Sequence, residues 1–166
     1  MKSGGALLPL TLAMGDYDRT RPLLDGRVKP EGIALKAISA AIPEFCLRPV
    51  YEEYDAAEMS LSWYLMAHSR GEPVVALPVF PLRMPVHAYV YCRSDSPYTN
   101  PKELVGKRIG TKRYRSTINV WLRGILAEYY GIEPGDFAWI TPAEEGAGFT
   151  IPAGVGSDWD DIYCKI

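Results

Sequence analysis

Apolar residues in this chain fall in short runs separated by Gly, Pro and Asp. Residues 7–14 (LLPLTLAM) form an apolar run of strand length that stops at Gly15, the pattern of a buried strand. Residues 17–24 read as a short helix closed by Asp25-Gly26, and residues 29–32 as a turn. Residues 33–38 (IALKAI) fit a second strand. Residues 43–54 read as a helix that begins at Pro43, where a missing N–H costs nothing, and breaks at Pro49. A short strand over 55–59 leads to Ser60 as cap of a helix over 61–69. Leu61, Tyr64, Leu65 and His68 share one face of that helix, and Gly71 stops it. Residues 73–80 (PVVALPVF) read as a buried strand, and residues 87–93 (HAYVYCR) as a strand rich in β-formers.

A polar, proline-bearing stretch at 94–101 then separates two lobes, 1–93 and 94–166. In the second, Asn100 as cap, Pro101 as first residue and Gly106 as stop predict a one-turn helix. Residues 107–111 read as a strand. Residues 116–130 carry the clearest helical pattern of the chain, capped by Ser116 or Thr117, with Ile118, Trp121, Leu122, Ile125 and Tyr129 as its apolar stripe and Gly131 at its end. Residues 137–140 form a last strand. No repeat is visible, and residues 142–157 have no period. Strands alternating with helices across short loops predict an α/β fold with mainly parallel sheets.

Composition narrows the function classes. With 48% hydrophobic and 23% charged residues the chain is an ordinary globular one, not disordered or collagen-like. Its 166 residues suit one domain or two small lobes. A net charge of −2 argues against nucleic acid as the main partner. No apolar stretch of about 18 residues predicts a membrane span. The apolar N-terminal run contains Pro9 and meets no small-residue cleavage site, so a strand explains it better than an export signal. Cys46, Cys92 and Cys164 lie far apart, with no CxxC pair or Cys/His cluster for a metal, and read as free thiols in a reducing cytosol. No GxGxxG, P-loop or HExxH motif is present, so no cofactor is expected.

Candidate chemistry gathers at predicted strand ends and helix starts, where open α/β sheets bind ligands. The loop 15–20 follows the first strand. Asp16 and Asp18 suit helix capping there, and Arg19 suits either a ligand carboxylate or solvent. Ser60 and Ser62 open a helix, where hydroxyls and unbonded N–H groups serve capping or a carboxylate oxygen. Arg83 can grip a carboxylate in bidentate fashion, and His87 can move a proton near neutral pH or simply fill a strand position. His68 reads as a packed residue. Lys112, Arg113, Arg115, Ser116 and Thr117 combine cations with a helix start, as an anion site or a solvated basic loop. Trp121 reads as core packing or as an edge for an aromatic ligand, and Tyr129, Tyr130 and the acidic residues at 158–161 as surface or core positions without chemistry.

Four segments taken together resemble a known family: Gly15-Asp16-Tyr17-Asp18-Arg19-Thr20 with Asp25-Gly26; Glu58-Met59-Ser60-Leu61-Ser62-Trp63-Tyr64-Leu65 after Asp55; Pro78 to Arg83 before His87; and Gly106-Lys107-Arg108-Ile109-Gly110 before the Ser116 helix. In order and spacing, over about residues 8 to 140, they resemble the 4,5-dihydroxyphthalate decarboxylase family. The resemblance implies a two-lobed fold like that of type 2 periplasmic binding proteins. It also implies loss of CO2 from a hydroxylated aromatic acid without oxidation. Arg19, Arg83 and Arg115 would then hold carboxylate, with Ser60, Ser62, Ser116 and Thr117 as further binding groups. His87 would transfer the proton, with Asp16 as the alternate. Family members are about twice as long, so this chain is expected to be a truncated homologue or fragment with an incomplete second lobe and an exposed sheet edge. A solute receptor for a small carboxylate or aromatic acid, without catalysis, is one rival reading, since fold does not fix function, and an inactive truncated homologue is another. The expected partner is a small aromatic carboxylate, with no nucleic acid or membrane, and self-association is left open.

Overall fold

The computed structural model describes residues 6–41, 52–142, 145 and 150–157. The predicted helix over 43–54, Cys46 and Cys164 lie wholly or mostly outside them. The chain divides into two compact units, Met1–Arg83 and Met84–Ile166. The lobe boundary expected from the sequence, after Arg93, lies within the second of these units. Both units are α/β with parallel strand pairing.

In the first unit, β1 (Leu8–Met14) lies between β2 (Ile33–Ser39) and β3 (Ala56–Ala57), both parallel to it. Leu8 pairs with Ile33, Met14 with Ser39 and Leu12 with Ala56. The central position buries the end of β1: Ala13 is 0% and Met14 4% exposed. Ile38, Ala40, Tyr54 and Ala57 pack around Ala13. Between β1 and β2 the predicted helix shrinks to one turn, α1 (Arg21–Leu24), because residues 18–20 form a turn first.

The next helix, α2 (Leu61–Ser69), has the predicted span but the opposite orientation. Ser62, Trp63 and Ala67 are buried, whereas Leu61 is 41% and Leu65 55% exposed, and His68 is exposed against the Tyr64 ring. The helix is apolar nearly all round, so period alone selects no face. Burying Trp63, the largest side chain, decides it.

Residues 73–80 form no strand. Val74 N–H bonds the Glu72 carbonyl and Val79 N–H that of Leu77, tight local turns that break any ladder, and Val75 is 90% exposed.

In the second unit, residues 87–93 form no strand either. A 3₁₀ turn over Val86–Tyr89 takes the start of the segment, and Tyr91 is 80% exposed. The turn Pro101–Leu104 is capped as predicted by Asn100, whose side chain accepts from Lys102 N–H while Glu103 reaches back to Asn100 N–H. β4 (Arg108–Gly110) pairs in parallel with β5 (Ala138–Ile140), and a parallel bridge joins Ile140 to Gly156 in the unpatterned segment. α3 (Thr117–Tyr130) lies between them in sequence. It ends at Gly131, whose left-handed φ of 65° suits glycine.

Leu122 and Leu126 of α3 face a core of Ile132, Phe137 and Trp139. The Trp139 ring meets Tyr114 and Phe137 edge-on at 5.5 and 5.6 Å. Trp121 and Tyr129, expected in the apolar stripe, are 55% and 71% exposed. The helix turns Leu122 inward, and Trp121 lies about 100° round from it.

Candidate functional site

Each unit builds its own cluster at the C-terminal end of its first strand. In the first unit Gly15 ends β1, and the Tyr17 ring lies directly on it. A Cβ at Gly15 would sit 2.4 Å from that ring, so only glycine allows the contact. Thr20, 7% exposed, ties the loop by donating to the Gly15 carbonyl at 2.6 Å and accepting from Tyr17 N–H at 2.9 Å. Glu58, just after β3, closes the cluster. Its Oε2 accepts from Gly15 N–H at 3.0 Å and its Oε1 from the Tyr17 hydroxyl at 3.1 Å. Burial, then the Glu58 carboxylate, push the Tyr17 phenol up to about 12.

The predicted residues fall around this cluster unevenly. The Arg19 guanidinium lies 5.1 Å from the centre of the Tyr17 ring, donates from Nη1 to Asp18 at 2.9 Å and from Nε to the Pro81 carbonyl. Asp16 is turned away into an exposed pair with Arg21 at 2.9 Å. Ser60 holds the N-cap position of α2 without a capping side-chain bond, and Ser62 is buried in its first turn. Arg83 is exposed at the end of this unit, its guanidinium 5.5 Å from the centre of the Phe80 ring. His87 belongs to the second unit, exposed on the Val86–Tyr89 turn.

The second cluster centres on Glu145, which is 0% exposed. Its carboxylate accepts Tyr114 N–H at 2.7 Å and Arg115 N–H at 3.0 Å, in the loop between β4 and α3. The Asn119 amide nitrogen braces the same loop, at 2.7 Å from the Arg113 carbonyl and 2.8 Å from Ser116 Oγ, and also contacts Thr111 Oγ1. Arg123 stacks over the Tyr114 ring at 3.9 Å and donates to the Tyr114 carbonyl at 2.8 Å. Burial lowers the Arg123 pKa, against the opposing pull of Tyr114 and Glu145.

Arg113 Nε is buried and has no hydrogen-bond partner among the described residues, and the same holds for the Thr141 hydroxyl at the end of β5. Ser116 is the N-cap of α3 and Thr117 its first residue. Arg115 and Ser116 therefore lie in the loop that Glu145 holds from beyond β5, and Thr117 opens the helix that follows it. Such a concentration of guanidinium groups and helix-start N–H groups suits an anion.

The sequence reading assigned no role to Tyr17, Glu58, Asn119 or Glu145. Glu58 and Glu145 act across 43 and about 30 positions of sequence, and no local spacing announces either. Among the described residues no group of His, Cys, Asp and Glu could hold a metal, and no helix is long and apolar enough to cross a membrane. Cys92 is an exposed free thiol.

No family model matches the chain. Two curated relatives do. It is 41% identical over 135 residues to the 4,5-dihydroxyphthalate decarboxylase of Comamonas testosteroni, covering 80% of this chain and 41% of that protein. It is 37% identical over 143 residues to the 4,5-dihydroxyphthalate decarboxylase of Pseudomonas putida, covering 85% of this chain and 55% of that protein. The chain thus spans about half the length of the relatives it matches. The likeness runs across most of this sequence, and the chain belongs to the 4,5-dihydroxyphthalate decarboxylase family.

Proposed function

We propose that the chain forms part of a non-oxidative decarboxylase of a hydroxylated aromatic acid such as 4,5-dihydroxyphthalate, folded as two lobes, 1–93 and 94–166, like a type 2 periplasmic binding protein. The observation that carries this reading is the likeness to two relatives that bear that activity in their names. The basic loop after β4, with Lys112, Arg113 and Arg115 ahead of a helix start, supports it, because an aromatic acid offers carboxylates to such a loop. The three scattered cysteines support a cytosolic setting.

In this reading Arg19, Arg83 and Arg115 hold carboxylate, helped by Ser60, Ser62, Ser116 and Thr117. Each carboxylate of 4,5-dihydroxyphthalate lies para to a hydroxyl. Removing the proton of that hydroxyl pushes electron density toward the carbon bearing the carboxylate. That carbon takes a proton, the C–C bond breaks, and CO2 leaves. His87 is the proton-transfer group, with Asp16 the alternate. Asp16 first has to leave its exposed pair with Arg21 to take that role, a pair that water screens and that holds it only weakly.

The test is incubation with 4,5-dihydroxyphthalate while CO2 and 3,4-dihydroxybenzoate are followed. Stoichiometric release of both is expected. Saturable binding without CO2 overturns the enzymatic reading in favour of a receptor, and neither binding nor turnover overturns both. Arg83→Ala should weaken aromatic-acid binding, and unchanged affinity removes Arg83 from the site.

A further inference from the structure

The Tyr17–Glu58 contact is more elaborate than holding a loop requires. Thr20 already fixes the loop through the Gly15 carbonyl and Tyr17 N–H, and Glu58 Oε2 takes Gly15 N–H. The Tyr17 hydroxyl adds nothing to that backbone frame. Yet its ring occupies the space that Gly15 leaves open, and its proton is directed at Glu58 Oε1. With the phenol proton committed there, the Tyr17 oxygen and the Glu58 carboxylate present only acceptors outward. Both side chains remain partly exposed, so a ligand can reach them.

We propose that Tyr17 and Glu58 are specificity-determining residues that accept a hydrogen bond from a ring hydroxyl of the ligand, so that the site selects hydroxylated aromatic acids over unsubstituted ones. This rests on the aromatic-acid reading above. Two juxtaposed acceptors repel a carboxylate and welcome an O–H donor, whereas the neighbouring Arg19 does the reverse. A ligand carrying both groups on one ring meets both demands. The phenol holds its proton at any physiological pH, so the arrangement of acceptors does not change over that range. A site built to pair with a hydroxyl discriminates against the analogue that lacks it, because its own polar groups are then left unpaired.

The test compares 4,5-dihydroxyphthalate with phthalate by titration calorimetry, using the wild-type chain, Tyr17→Phe and Glu58→Gln. Tyr17→Phe keeps the ring on Gly15 and removes only the hydroxyl. It should weaken binding of the hydroxylated acid about tenfold, the value of one net hydrogen bond, and leave phthalate unchanged. Glu58→Gln should shift the same ratio in the same direction. If both ligands weaken equally, or neither changes, the pair does not read the hydroxyl and the aromatic-acid reading stands without it. A wild-type chain that binds neither ligand overturns the aromatic-acid reading and this proposal with it. Should Glu58→Gln lose its near-UV circular dichroism signal, Tyr17→Phe alone decides.

Discussion

Glu145→Ala tests whether the second cluster is held together as described. The carboxylate is 0% exposed and accepts two backbone N–H groups, at 2.7 and 3.0 Å. A hydrogen bond to a charged group contributes about 1.5–3 kcal/mol net, so the two together stabilise by about 3–6 kcal/mol. Water entering the space left by alanine recovers part of this. The cost should therefore be about 3–5 kcal/mol, a large share of the roughly 5–15 kcal/mol that holds a domain folded. With a urea slope of about 1–3 kcal/mol per molar, the midpoint of the second unit should fall by about 2 M. Glu145→Gln keeps one acceptor but turns an amide donor toward the other N–H, so an intermediate loss of about 1–3 kcal/mol is expected. Glu128→Ala, an exposed acid on α3, controls for charge alone and should stay within about 0.5 kcal/mol. If Glu145→Ala melts with the Glu128→Ala control, the carboxylate does not anchor the loop.

Three other outcomes follow from the described geometry. Spectrophotometric titration should find the Tyr17 phenol ionising near 12, and Glu58→Gln should lower it only part of the way, because burial, the larger cause, remains. Since the folded chain keeps that proton while the unfolded chain loses it near pH 10, this contribution to stability is whole below pH 10 and disappears as pH rises through about 12; equal stability at pH 9 and pH 12 contradicts it. Gly131→Ala should cost about 1 kcal/mol and lower the melting temperature by a few degrees, because a Cβ there meets no atom within 4 Å and only the left-handed backbone resists it. A loss above about 3 kcal/mol points to a contact that the geometry lacks. Trp139→Ala should destabilise the second unit by about 3–5 kcal/mol in the same urea assay, as a 4% exposed ring set between Tyr114 and Phe137 and bonded from Nε1 to the Pro134 carbonyl; a loss under about 1 kcal/mol excludes it from that core.

What could be read from the chain alone is what neighbouring residues decide among themselves. β1, β2, α2, α3, the Asn100 cap and the Gly131 stop all stand where local spacing put them. The strand-end loops carrying Arg19 and Arg115 follow from that order of elements. So does the family, because its motifs are local. Three things required distant partners. A strand needs another strand beside it, and the apolar run at 73–80 turns on its own carbonyls instead. A helix apolar on every side needs a core to choose its face, and α2 gave that place to Trp63 rather than to Leu61 and Leu65. Tyr17 and the Tyr114–Arg115 loop needed Glu58 and Glu145, brought to them by chain closure over 30 or more positions. A carboxylate meets N–H groups so far along the sequence only once the sheet is built, which is why periodicity located the loops and only folding supplied the groups that shape them.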